Sequence, residues 1–181
     1  MAIKLFLLII VMLIFLFIIF LFVLSIINSM IYWVPQVWTF KSDIEIMKIW
    51  LKKYNLSWKK IIDLWSWTWK TLRFLEKYFE AKLTWYEIDL FNYLLSRFLN
   101  KIFWLNANIK KDDFLKANLQ DFDFIYIYWF PKLMDKYENF IFSKAKKWTI
   151  IFSNAFKFKN KIPIEILVDK AWIPEMYIYK I

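Results

Sequence analysis

The side chains able to bind or react in this chain gather at a few points. Asp63 closes the apolar run Ile61-Ile62 and leads into Leu64-Trp65-Ser66-Trp67-Thr68-Trp69-Lys70. Glu87 follows about twenty residues after that loop, where an acid can take both hydroxyls of a ribose. The chain has no histidine and no cysteine. Thiol nucleophiles, imidazole bases, disulfides and the usual zinc ligands are thereby excluded, and nothing points to a metal. What remains is chemistry in which the protein binds and orients and a small molecule supplies the reactivity.

The loop after Asp63 is written with tryptophan where a ligand-cradling loop needs glycine. The chain has 181 residues, 0 glycines and 12 tryptophans. Ordinary usage of ~7% glycine predicts about a dozen in a chain this long. A domain with tight turns and helix stops but without the residue that tolerates positive φ is physically awkward. The missing glycines and surplus tryptophans match in number, which points to UGA codons that mean glycine in the source lineage. Their positions agree. Trp65, Trp67 and Trp69 alternate with Ser66 and Thr68, Trp58 and Trp148 adjoin lysine pairs where turns are expected, and Trp172 sits in an expected hairpin turn. With glycine restored, the loop reads D-L-G-S-G-T-G-K. It lets a ligand approach the backbone and meet helix N-terminal amides.

Several elements must hold these residues in place. An amphipathic helix is expected from an N-cap at Ser42 to about Tyr54, and a short strand over 60–64. Helix and strand then alternate: helix 71–79, strand 83–88, helix 90–103, weak strand 108–111, strand 122–128, helix 132–145 and strand 149–153. A hairpin of 162–168 and 176–179 closes the chain. Such alternation predicts a mostly parallel α/β sheet with helices on both faces, binding ligands at the carboxyl ends of its strands.

Residues 5–27 form an apolar run broken only by Ser25. At 1.5 Å per residue the run crosses a hydrocarbon core of ~30 Å, so residues 1–30 are expected to anchor the chain in a lipid bilayer and residues 31–181 to form the domain. A cleaved signal peptide is the competing reading, but Ser25-Ile26-Ile27-Asn28 makes a poor cleavage site. Lys4 and the terminal amine flank the run on one side, against Lys41, Lys48, Lys52, Lys53, Lys59 and Lys60 on the other. That asymmetry predicts a single-pass protein with a cytoplasmic domain. The net charge of +10 suits an anionic partner such as lipid, or simply a solvated basic surface.

With glycine restored, D-L-G-S-G-T-G followed by G-Y-E-I-D resembles the S-adenosyl-L-methionine site of class I methyltransferases. Residues 124–134, and Ser153-Asn154-Ala155-Phe156, resemble a branch of it: mitochondrial protein-lysine methyltransferases and their bacterial relatives. The resemblance covers residues 33–181, includes Val34-Pro35, and implies a Rossmann-like sheet. By position it implies that Asp63, Ser66 and the backbone of Trp65, Trp67 and Trp69 hold the methionine part, that Glu87 holds the ribose, and that Asp113 with Phe114 meets the adenine. It sets Tyr128 to Pro131 at the methyl acceptor, although this Tyr-Trp-Phe-Pro loop lacks the usual opening Asp or Asn. The acceptor it implies is a lysine amine of a membrane-associated protein.

Other readings stand beside this one. Asp63 could cap a turn, and Tyr126 and Tyr128 alternate with Ile125 and Ile127 as core residues do. A restored G-K-T at 69–71 suggests a phosphate-binding loop, but the further glycine such a loop needs falls on Leu64. A lipid-soluble small molecule is the rival acceptor; nucleic acid is not expected, since no separate binding domain is present. If the tryptophans are genuine, three indoles would fill the cofactor space, and a membrane-tethered binding protein with a decayed nucleotide site becomes the reading.

Overall fold

In the computed structural model, residues 2–31, 41–64, 69–168 and 175–181 are described. The expectations for Val34-Pro35, Trp65, Ser66, Trp67 and Trp172 lie outside them.

The apolar N-terminal run forms one helix, α1 (Ala2–Ile31). Its stretch Ile3–Leu24 is long and apolar enough to cross a membrane, and almost all of its side chains face away from the protein. The domain then runs α2 (Lys41–Leu51), β1 (Lys60–Asp63), α3 (Trp69–Phe79), β2 (Lys82–Tyr86), α4 (Leu90–Ile102) and β3 (Asn108–Lys110). It continues through two short 3-10 turns to β4 (Phe124–Ile127), α5 (Pro131–Lys144), β5 (Ile150–Asn154), β6 (Glu165–Val168) and β7 (Glu175–Lys180).

The seven strands make one sheet in the order β3-β2-β1-β4-β5-β7-β6. The first five are parallel to their neighbours; β7 runs antiparallel to both β5 and β6. This is the expected α/β sheet with its closing hairpin. Strand alternation divides the core in two. Ile61, Phe124, Tyr126 and Phe152 face Met47 and Leu51 of α2 and Phe74 and Leu75 of α3. Ile62, Ile125, Ile127 and Ile151 face Met134 and Ile141 of α5 and Phe114 of the first 3-10 turn. Helices therefore cover both faces, as expected. Several local bounds change, among them the end of α2, which stops at Leu51 rather than near Tyr54. Helix α2 begins at Lys41, so Ser42 lies in its first turn rather than at its N-cap. Strand β6 begins at Glu165 rather than at 162, because Pro163 has no N–H for a ladder.

Five described residues other than glycine have positive φ: Trp58, Glu80, Trp104, Trp148 and Ala155. Trp58 is the third residue of a turn closed by the Lys59 N–H on the Leu56 carbonyl, and Trp148 the third of one closed by Thr149 on Lys146. A positive φ there is the type II position, which glycine dominates. Trp104 follows the end of α4. Its N–H donates to the Lys101 carbonyl at 3.3 Å, and that of Leu105 to Asn100 at 2.9 Å. This is the double bond pattern of a glycine-terminated helix. All three indoles are exposed.

Candidate functional site

Strand order reverses between β1 and β4, so the crevice lies at the carboxyl ends of β1, β2 and β4. Asp63, the last residue of β1, is 1% exposed. The chain then passes through residues 65–68 into α3, which Trp69 opens and whose first turn buries Thr71. Glu87 immediately follows β2, and its N–H donates to the Lys110 carbonyl at 2.9 Å, extending the β2–β3 ladder by one bond.

The two acids of Tyr86-Glu87-Ile88-Asp89 have separate tasks. Asp89 is the N-cap of α4 and accepts the Asn92 N–H at 2.9 Å. Glu87 is 3% exposed, and its Oε1 accepts the Asp89 N–H at 2.8 Å. Its Oε2 is buried and has no hydrogen-bond partner among the described residues. Burial pushes the Glu87 carboxyl up to about 8, helped by the charges of Asp89 and Asp63 and opposed by the Asp89 and Ile88 amides. A buried carboxyl with one open oxygen is poised to accept from a ligand.

Glu87 lines a cavity of about 130 Å3 together with Leu64, Ile88, Asp113, Phe114 and Tyr137. The structure thus brings together Glu87, Asp113 and Phe114, three of the expected ligand residues. Asp113 caps the 3-10 turn through the Leu115 N–H at 2.9 Å. Phe114 is buried, its ring centroid 5.1 Å from those of both Trp129 and Tyr137. The cavity is less than half of the ~300 Å3 at which small-molecule sites begin, so it suits one end of a longer ligand. A wider hollow of about 850 Å3 opens beside Lys60 and Lys82, at the amino ends of β1 and β2. Its walls include the exposed indoles of Trp58 and Trp104, and it lies at the wrong end of the sheet for the crevice.

Tyr128 follows β4 and is half-buried against the α2–α3 core. Trp129 is buried, Phe130 is the N-cap residue of α5, and Pro131 is exposed in its first turn. The Phe130 ring lies 5.6 Å from that of Phe156, centroid to centroid. Next to this loop lies a buried polar group that the sequence reading did not assign. Asn154, at the end of β5, donates from Nδ2 to the Tyr126 hydroxyl at 3.3 Å. Burial, then the charge of Asp63, raises the Tyr126 phenol well above its ordinary range, while bonds from Asn154 and Thr71 pull it down. The available signal was Ser153-Asn154, polar residues closing the apolar strand Ile150-Ile151-Phe152.

The crevice therefore offers a buried acid with an open oxygen beside the buried ring of Phe114, and Leu64 and Ile88 add apolar wall. No protein-family model and no curated protein sequence matches the chain. Solved structures do match in fold. An RNA methyltransferase from Salinibacter ruber in complex with S-adenosyl-L-homocysteine aligns with a TM-score of 0.70 at 17% identity, over 80% of this chain and 93% of that one. A methyltransferase from Pyrococcus furiosus aligns at 0.59 and 13% identity, over 85% and 91%. The O-methyltransferase from Bacillus cereus in complex with S-adenosyl-L-homocysteine aligns at 0.55 and 12%, over 75% and 65%. The chain has the class I methyltransferase fold.

Proposed function

We propose that the chain is a membrane-anchored methyltransferase that uses S-adenosyl-L-methionine and acts on a lysine amine of a membrane-associated protein. The observation that carries the cofactor is Glu87: a buried carboxyl with an open oxygen, after the second strand of this fold, beside Asp113 and Phe114. Glu87 takes the ribose hydroxyls, Asp113 and Phe114 border the base, and Asp63 with Ser66 and the backbone at Trp65, Trp67 and Trp69 holds the methionine part. The sulfonium supplies a reactive methyl group, so the protein's contribution is orientation. With the cofactor bound, a neutral acceptor amine would take the methyl as the carbon–sulfur bond broke, the electron pair staying on sulfur. The amine must first lose its proton, which a partly desolvated pocket favours. Tyr128 and the Tyr128–Pro131 loop orient its lone pair. The acceptor class rests on the resemblance of residues 124–134 and 153–156 to the lysine-modifying branch.

Helix α1 is read as an uncleaved anchor, with the domain held on the cytoplasmic side by its flanking lysines. The twelve tryptophans are read as glycine. Three observations support this: the glycine-type conformations at Trp58, Trp104 and Trp148, their exposure, and the buried indole N–H groups of Trp85 and Trp129, which have no partner among the described residues. Buried indoles ordinarily find a hydrogen-bond partner. Peptide masses of the natural protein test this directly; tryptophan masses at 58, 104 and 148 would overturn it.

The function is tested by calorimetry with S-adenosyl-L-methionine, using the full chain made with glycine at the twelve positions. Saturable binding that is lost in Glu87→Ala supports the site, and no binding by a folded sample sinks it. Labelled methyl transferred to cell fractions then sorts protein from lipid acceptors, and label confined to lipid would replace the lysine reading.

A further inference from the structure

Helix α4 is amphipathic in the unusual sense. The side it turns to the protein holds buried Ser96 and half-buried Asn92, Leu99 and Asn100, whose Nδ2 donates to the Ala107 carbonyl at 3.0 Å. Its outer side carries Leu90, Leu94, Phe98 and Ile102, every fourth residue and all exposed, with Phe98 at 61%. Leu95 widens the stripe, and Ile88 adds an exposed side chain just before the helix. Four-residue spacing keeps these side chains on one face. Arg97 and Lys101 flank the stripe, both exposed.

This face is continuous with the membrane helix. Helix α1 packs against α4, and the rings of Phe22 and Phe91 meet edge to face at 6.0 Å. Phe22 lies five residues before Ile27, the end of the apolar run. At 1.5 Å per residue, the contact lies about 7 Å inside that end and about 3 Å inside Leu24, where the membrane-length stretch of α1 closes. An interfacial helix sinks its apolar face to about 5–10 Å, with basic residues reaching back to the headgroups.

We propose that α4 is a second membrane contact, lying in the interface beside the anchor with Leu90, Leu94, Phe98 and Ile102 among the outer acyl chains and Arg97 and Lys101 at anionic headgroups. The occupant of the stripe is lipid. Depth of contact, continuity with α1 and the flanking charge all fit it, and the proposal rests on α1 being a membrane anchor. Glu87 lies three residues before the start of α4, so the crevice is held at the bilayer surface and a membrane-bound acceptor reaches it without leaving the membrane.

The chain has no cysteine, so single cysteines report cleanly. Full-length Phe98→Cys, Phe15→Cys and Lys144→Cys proteins, each bearing one polarity-sensitive dye, are placed in vesicles of phosphatidylcholine and phosphatidylglycerol. The dye at 98 should be quenched by nitroxides on the upper acyl chain, and several-fold less by iodide than the dye at 144. Leu94→Cys should repeat this result, guarding against a local effect of the Phe98 change. Iodide quenching at 98 equal to that at 144, with 15 quenched by deep nitroxides, would overturn the α4 contact while keeping the anchor. Protection from iodide at 98 without lipid quenching would also overturn it, by showing a protein on the stripe. A dye at 15 that no lipid nitroxide reaches would remove the anchor and this proposal together.

Discussion

Tyr126 stands opposite Asp63 in the parallel ladder of β1 and β4, so a phenol and a carboxylate share the seam where strand order reverses. Both are buried, and the acid helps hold the phenol protonated. Tyr126→Phe removes the acceptor for Asn154 Nδ2, and leaving a buried donor unsatisfied costs about 1–3 kcal/mol. Denaturant unfolding should show that loss. Tyr126→Phe combined with Asn154→Leu should recover part of it; equal losses in the single and double variants would mean that the bond is not the cause.

Glu87 predicts two opposite pH slopes. Its folded pKa of about 8 lies above the ordinary 4.5, so the folded state holds the proton more tightly. Its contribution to stability without ligand is full below the unfolded value and is lost as pH rises through the folded one. Ribose hydroxyls donate to the ionised form, so cofactor binding should release a proton and tighten as pH rises towards 8. Glu87→Gln should flatten both slopes and weaken binding about tenfold or more, the worth of a hydrogen bond to a charged group. Thermal unfolding and calorimetry between about pH 5 and about pH 9 measure them.

The sequence carried the element order closely because each strand is an apolar run and each helix is bounded by polar turns. Strand 108–111, weak by composition, is β3 at 108–110, a sheet edge where little burial is required. Less legible was what the fold brings together from afar. Nothing local says that Asn154 meets Tyr126, or that the apolar side of the helix over 90–103 faces outward. Periodicity shows that a face exists, not which way it points. Glu87 and Asp89 were distinguishable in principle, since an acid three residues before Asn92 is a helix cap.

Trp104→Gly should stabilise the protein. A left-handed residue with a Cβ costs about 1–2 kcal/mol, and glycine returns about 0.5–1 kcal/mol of that as unfolded-state entropy. Trp104 is 89% exposed, so little packing is lost and a net gain of about 0.5–1 kcal/mol is expected. A lowered melting temperature would argue that the indole belongs there. Trp58 and Trp148 make poorer tests because Lys82 lies 5.5 Å from the first ring and Lys180 4.5 Å from the second.

Tyr128→Phe tests the acceptor side. If the hydroxyl orients the amine, turnover should fall while cofactor affinity stays unchanged; single-turnover methyl transfer separates the two. Unchanged turnover would leave Tyr128 with packing alone.

Helix α1 ends at Ile31, and the first of the twelve tryptophan positions is Trp33. If those codons are UGA, an expression host that treats UGA as a stop signal would end translation after Tyr32. Its product would be the bare hydrophobic helix, lacking every strand and every acid of the crevice. Failed production of this protein in such a host would thus report truncation rather than misfolding, and an intact-mass measurement of the membrane fraction would tell the two apart.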